Sequence, residues 1–417
     1  MRVGVYLGGL NPDFAGGLKT YTIGLVSGLM RNVRGHDTVV FVGDEVRQEL
    51  AERVGPRANA TFVSPPATPG SLLERLTMLP GLDVFHVPMR QRRMRRLTEF
   101  LEARCDVVLF PLCFMATYRL RIPSIVSFHD LQHEKYPSFF SWRHMRARRV
   151  RFGATFRHAT VLQASSNAMK AEALEVYGDR LTESRIAVIP EGVDFAEFAA
   201  APSADWRAGY EVPDEFLLYP AQMWHHKNHL RLLQAIEQLR TGAGIRIPLV
   251  LTGGEYEAAP AVRRFIQDRH LTDQVFVLGR VPYPVLRGLY RQASYVLSAS
   301  LHESSCLPIF EAAASGSPLI VADIPPNRES AQTFKLRLFD PLDVGRIAAS
   351  LLEAWENRHR NQESVAANRK AARGFDWTII ADMYLQRAEQ LVGNREMKGA
   401  TSTAARDAEE SLFRQAQ

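Results

Sequence analysis

The second half of this chain alternates short apolar runs with amphipathic stretches, and that order constrains its fold more than any other feature. Strands are expected at FLLYPAQ (216–222), IPLVLTGG (247–254), QVFVLGR (274–280), YVLSAS (295–300) and PLIVAD (318–323), with helical patterns such as HLRLLQAIEQLR (229–240) between them. A strand that must be followed by a helix before the next strand builds a parallel sheet covered on both faces. This is a doubly wound domain, expected over 207–374. The first half carries a less regular version of the same order, at RVGVYLGG (2–9), TVVFVG (38–43), DVVLFP (106–111), PSIVSFHD (123–130), TVLQASS (160–166) and RIAVIPEGV (185–193). A second Rossmann-like domain is therefore expected over 1–198. The periodic pattern lapses in FAAAPSADW (198–206), where the two join. Beyond them, FDWTIIADMYLQRAEQL (375–391) has apolar residues at helical spacing, giving a helix expected over 375–392. The tail, 393–417, is small, polar and charged and reads as disordered.

A length of 417 residues with 46% hydrophobic content suits two such domains. The longest apolar runs, CDVVLFPLCFM (105–115) among them, fall short of the ~18 residues a membrane span needs. The N-terminus begins as a strand and lacks the layout of an export signal. Three cysteines, Cys105, Cys113 and Cys306, form neither a C-x-x-C pair nor a disulfide framework. A cytoplasmic protein is expected, with no nucleic-acid partner. The net charge of +6 is concentrated in MRQRRMRRL (89–97) and WRHMRARRVRFGATFRH (142–158). These are either solvated helix faces or a surface for anionic lipid headgroups or a lipid diphosphate acceptor, at the inner face of the plasma membrane.

Facing α/β domains bind ligands at the carboxyl ends of their strands, and three such ends here carry chemistry. After the first strand, Gly16 and Gly17 open a helix, as a simple turn or as a close approach of backbone N–H groups to a phosphate. In HESSCLPIFEAAASGSPLIVAD (302–323), a loop runs into a helix with Pro308 in its first turn and Gly316 ending it. Glu303 falls at the cleft mouth and Glu311 one turn into the helix. The N–H groups around Ser305, Cys306, Leu307 and Ile309 would hold a diphosphate. The competing reading is that the two glutamates serve the helix start. In YPAQMWHHKNHLRLL (219–233), Lys227 is a cation at a strand-to-helix turn, and in PSIVSFHDLQHEKYP a strand ends at His129, close to Asp130 and His133. Neither a zinc pattern nor an Asp-x-Asp pair is present, and His225, His226 and His229 lack a thiolate or carboxylate beside them in the sequence.

The Glu-x7-Glu spacing followed by Ala-Ala-Ala-Ser-Gly-Ser-Pro resembles the signature of family 4 retaining glycosyltransferases, and the resemblance extends over residues 1 to about 392. It implies the GT-B fold: two Rossmann-like doubly wound domains facing across a cleft, with a C-terminal helix crossing back to the first. It also implies transfer of a hexose, with mannose foremost, from a GDP- or UDP-sugar to a glycan or lipid-linked acceptor of a surface polysaccharide. No metal or other cofactor is implied. Carried onto this sequence, Glu303 contacts the transferred sugar, Glu311 binds the ribose, Lys227 steadies the diphosphate and His129 stands near the reacting centre. Where many relatives have Gly-Arg this chain has Ala221-Gln222, which places Gln222 among the donor contacts in place of a cation. His225, His226 or a first-domain residue would then help Lys227. Ser304-Ser305-Cys306 replaces a frequent Gly-Phe-Gly, and Glu191 stands where Asn is common.

The mechanism so implied is front-face substitution, in which the leaving diphosphate helps deprotonate the acceptor; a covalent glycosyl–glutamate route competes. A sugar-nucleotide epimerase, a phosphorylase on the same scaffold, and a catalytically silent nucleotide-sugar binder remain as other readings of these residues.

Overall fold

The computed structural model of the protein describes residues 1–10, 16–31, 34–54, 60–67, 74, 76–203 and 205–395. Its frame is two sheets with parallel pairing throughout. The first contains β1 (Arg2–Tyr6), β2 (Asp37–Phe41), β3 (Ala60–Val63), β4 (Val107–Phe110), β5 (Ser124–Ser127), β6 (Val161–Ala164) and β7 (Ile186–Val188). Their spatial order is β3-β2-β1-β4-β5-β6-β7. The second contains β8 (Leu217–Pro220), β9 (Leu249–Thr252), β10 (Val275–Gly279), β11 (Tyr295–Ser298), β12 (Leu319–Ala322) and β13 (Arg337–Phe339), in the order β10-β9-β8-β11-β12-β13.

Every residue of β4, β5, β6, β9, β11 and β12 is buried, which is why these strands read as unbroken apolar runs rather than as alternations. The strands that the apolar pattern does not reveal, β3 and β13, are two of the four edge strands. There ATFV and RLF are partly exposed, so half-polar side chains dilute the signal.

Strand order reverses between β1 and β4 in one sheet and between β8 and β11 in the other. The loops leaving those neighbouring strands diverge to opposite faces and open a crevice. Helices that matter for the crevice are α1 (Gly17–Arg31), α2 (Trp142–His158), α3 (Asn167–Tyr177), α4 (His229–Ala243) and α5 (Leu307–Ser315). Local chemistry sets their ends. Ser141 and Ser166 cap α2 and α3 by accepting from His144 and Met169 N–H, at 3.3 and 3.1 Å. At the end of α5, Gly316 has φ +78°, and the Gly316 and Ser317 N–H groups donate to the Ala313 and Ala312 carbonyls.

Packing with the second domain begins just ahead of the expected join, 198–206. Val193 and Phe198 already pack in the second domain's core with Phe216, Leu218 and Tyr290, and Trp206 fills space left by Gly288, where a Cβ would lie 2.2 Å from its ring. The contacts of Phe198 and Trp206 are with residues far along the chain, so the local composition of 198–206 reads as a linker.

The last described helix, α6, spans 377–395. It follows a short turn, Arg373–Phe375, and a bridge between Asp376 and Val193, so it begins after the expected 375. Trp377, Ile380, Ala381, Tyr384 and Leu385 join the core of β1, β2 and α1, returning the chain to the first domain. Gly24 and Gly28 of α1 admit the close approach, since a Cβ at either would lie 2.1 or 2.2 Å from Trp377 atoms. Residues 393–395 continue α6 rather than beginning a disordered tail; the rest of that tail, 396–417, lies outside the described residues.

Candidate active site

Both switch points face one cleft of about 430 Å³ between the domains. On the first domain's wall are Gly16, Gly17 and Lys19 at the start of α1, His129 after β5, and Glu191 after β7. Opposite stand Gln222 and Lys227 after β8, Arg280 after β10, Glu303 and Ser305 between β11 and α5, and Leu307 and Glu311 in α5 itself.

The glycines are there because the walls nearly touch. Gly16 has φ +91°, and a Cβ on it would lie 2.6 Å from the Gln222 amide nitrogen; a Cβ on Gly17 would lie 3.3 Å from Leu307. The N-termini of α1 and α5 therefore meet at this point, and the positive ends of two helices converge on the cleft. That makes a site for an anion.

Lys227 is held from both sides. It ends a short 3-10 turn, His225–Lys227, and Asn228 follows in the left-handed region at φ 60°. The Tyr219 hydroxyl donates to the Lys227 carbonyl, and the Asn228 amide donates to the Pro341 carbonyl at 2.8 Å. So anchored, the Lys227 ammonium forms an ion pair with the Glu303 carboxylate. The Glu303 loop is itself tied to the first domain. Ser166 donates to the Ser304 carbonyl at 2.9 Å, Tyr136 to the Leu301 carbonyl at 3.2 Å, and His302 meets Glu172 at 3.0 Å.

Glu311 lies deeper, accepting a hydrogen bond from the Tyr290 hydroxyl. Burial, with the nearby Glu191 charge, pushes its carboxyl up to about 7 against the pull of that hydrogen bond. Burial likewise raises Glu191, whose Oε1 is 3.7 Å from His129 Nδ1. The other ring nitrogen, Nε2, donates to the Pro111 carbonyl at 2.8 Å, and the Tyr21 ring packs edge-on to the imidazole.

Several expectations need correction. Cys306 does not line the cleft: its side chain is 1% exposed and belongs to the second domain's core, because the residue preceding α5 turns inward there. His226 and His229 give no positive charge, since burial pushes both far below the usual imidazole range, His229 to about 3. His225 packs near Phe139. Asp130 pairs with Arg148, and His133 is fully buried and stacked on Phe152. Lys19, a first-domain residue as one of the alternatives allowed, and Arg280 line the same cleft as Lys227. Lys19 stands two residues beyond the glycine pair and Arg280 closes an expected strand, positions that residue order alone does not mark as cleft cations. Glu191 was noted only as a departure from Asn. Among the described residues, no group of three or more His, Cys, Asp or Glu side chains is placed to hold a metal ion.

Comparison with known proteins follows the same two-domain division. Residues 15–197 match the family model described as Glycosyltransferase Family 4, and residues 204–373 that described as Glycosyl transferases group 1. The chain belongs to the family 4 glycosyltransferases. This glycosyltransferase is 23% identical over 258 residues to O-antigen chain mannosyltransferase B of Escherichia coli, which takes in 61% of this chain and 67% of that protein. Among solved structures, Anabaena Alr3699/HepE in complex with UDP-glucose superposes with a TM-score of 0.67 at 18% identity, covering 94% of this chain and all of that one (100%). WaaG, a glycosyltransferase involved in lipopolysaccharide biosynthesis, gives 0.65 at 16% identity over 94% and 100%. At such identities the structural likeness establishes the fold, GT-B.

Proposed function

We propose that this glycosyltransferase moves a hexose, mannose first among candidates, from a GDP- or UDP-sugar to a glycan or lipid-linked acceptor of a surface polysaccharide, with retention and without a metal. The observation that carries the reading is the Lys227–Glu303 pair set beside two converging helix N-termini. This puts fixed positive charge around the place a diphosphate would occupy and a carboxylate beside it for the sugar. Ser305 and Leu307 belong to the α5 start that receives the phosphates, and Glu311 lies deeper, for the ribose. The mannosyl assignment draws on the O-antigen mannosyltransferase relative, and the uridine option on the UDP-glucose complex of a structural neighbour.

In the step envisaged, the bond from C1 to the diphosphate oxygen breaks while the acceptor oxygen bonds C1 on the same face. The acceptor's proton passes to the departing phosphate, and the nucleoside diphosphate leaves. The growing charge on the diphosphate is met by Lys227, Lys19 and the helix ends. A covalent route would use the Glu303 carboxylate, whose ion pair with Lys227 lowers its nucleophilicity.

Thermal-shift titration with GDP, UDP, ADP and their sugar conjugates, with and without EDTA, tests the donor. Stabilisation by GDP or UDP that survives EDTA is expected, and no shift with any of them would sink the proposal. Product anomeric configuration by NMR tests retention. The arginine-rich segments 89–97 and 142–158 lie in helices of the first domain, which supports an acceptor presented at an anionic membrane face. No described helix is long and apolar enough to cross a membrane.

A further inference from the structure

Just ahead of the first arginine-rich segment the chain shows a run of apolar side chains to solvent. The Leu79 N–H donates to the Leu76 carbonyl at 2.9 Å, Leu82 to Leu79 at 3.2 Å, and Phe85 to Leu82 at 3.1 Å. These are three linked turns, with Gly81 in the left-handed region at φ 78° between the first and the last and a 3-10 turn over Asp83–Phe85 at the end. Leu76, Leu79, Leu82 and Phe85 are 48, 41, 40 and 54% exposed, and Val84 beside them is 69% exposed. Leaving large side chains of one segment in water costs free energy that a soluble surface normally avoids.

A second element completes the surface. Arg146 of α2 donates to the Met78 and Leu79 carbonyls at 2.9 and 3.2 Å and pairs with Asp83 at 2.7 Å. One turn earlier on α2, on the same face, is Trp142, 55% exposed, with the Arg143 guanidinium over its ring. Past Phe85 the chain runs directly into the helix His86–Arg93, and exposed Arg92 and Arg96 follow. The acidic groups of this region are already matched by arginine: Asp83 by Arg146, and Glu74 by Arg90 and Arg93. An apolar ridge with an indole at its flank and exposed guanidinium groups around it has the chemistry of an element seated in a lipid interface.

We propose that the ridge Leu76–Leu79–Leu82–Phe85, with Val84 and Trp142, inserts into the headgroup region of an anionic membrane, while Arg92, Arg96 and Arg143 engage lipid phosphates. This deepens the membrane-facing reading above, on which it rests, by adding insertion to electrostatic attraction. Charge alone would give binding that salt abolishes, whereas an inserted ridge leaves a residue of binding that salt does not remove.

The test is flotation of the full chain with vesicles of phosphatidylcholine alone and of phosphatidylcholine mixed with phosphatidylglycerol, over a range of salt. The wild type is expected to float with the anionic vesicles. Phe85→Ser combined with Trp142→Ser should lower the bound fraction about tenfold or more at every salt concentration. Leu342→Ser, an exposed apolar residue of the second domain (61% exposed), should change nothing. Brominated acyl chains should quench part of the wild-type tryptophan fluorescence, and that part should vanish in Trp142→Phe. Melting temperatures and nucleotide-induced shifts equal to wild type show that the variants are folded and that donor binding is untouched.

If the Phe85/Trp142 variant binds as wild type does, insertion is wrong and the electrostatic reading survives. If wild type ignores anionic vesicles, both fail. If the same variant instead breaks a dimer of the wild-type chain, the ridge is covered by a second copy and the proposal is overturned.

Discussion

Lys227 and Glu303 leave neighbouring strands, β8 and β11, on loops that diverge at the switch point of the second sheet, and they meet as an ion pair with side chains 20 and 14% exposed. Their partnership means that neither can be removed without leaving the other's charge poorly solvated. Lys227→Ala is expected to lower kcat by about 10²–10³, the usual size of an electrostatic donor deletion, and to lower the melting temperature. Lys227→Met with Glu303→Gln should recover the melting temperature but not the rate. Initial rates and thermal melts of the set decide it, and transfer at the wild-type rate in Lys227→Ala would remove the lysine from the site.

Carboxylates buried in the cleft make stability depend on pH. Glu311 and Glu191 are both raised above the ordinary value of 4.5, chiefly by burial, Glu311 to about 7. A carboxyl raised on folding stabilises the native state fully below its unfolded value and loses that contribution as pH climbs through the folded one. Stability is therefore expected to fall between about pH 4.5 and pH 7 on account of these groups, and Glu311→Gln should flatten the slope. Melting curves of wild type and variant across that range would show it; parallel slopes would contradict it.

If Glu311 receives the ribose hydroxyls, the ionised form is the better acceptor. The donor's KM should then improve as pH rises through about 7 and lose that dependence in Glu311→Gln. A KM profile unchanged by the substitution would detach Glu311 from the ribose.

Gly16 combines a left-handed φ of +91° with a wall 2.6 Å from where its Cβ would be. Gly16→Ala should cost about 1–2 kcal/mol from the backbone alone, and should weaken nucleotide binding by pushing Gln222 away. Denaturant melts and nucleotide titration of the variant measure the two effects separately. Gly35→Ala, also at positive φ (71°) but with nothing within 4 Å, should lose stability only.

Much of the second domain's half of the site is legible in the residue order. The run from His302 to Asp323 states its own local structure: a loop, a first-turn Pro308, a helix and Gly316 to end it. These are short-range preferences of proline and glycine and need no tertiary partner. The helix over 142–158 likewise declares itself in one stretch, Trp142–His158. The inward turn of Cys306 is not legible in the sequence, because the direction of a side chain just before a helix depends on the local dihedrals, here φ −104° and ψ 88°, and spacing does not encode them. Lys19, Arg280 and Glu191 are ordinary polar residues in the residue order, and only the opposing domain makes each part of a cleft wall.

Residue order by itself thus determined that the chain forms parallel α/β domains with a glycine-opened helix, a strand-end lysine and a glutamate pair spaced across a helix start. Periodicity and turn chemistry act within a few residues and survive translation into one dimension. Tertiary structure alone decided which strands stand at the switch points, that Val193 and Phe198 belong to the second core, and that Lys227 finds Glu303 and Glu191 finds His129. Those outcomes rest on pairings between residues tens to more than a hundred positions apart, whose free energy comes from burial and from charges brought together only once both domains have folded.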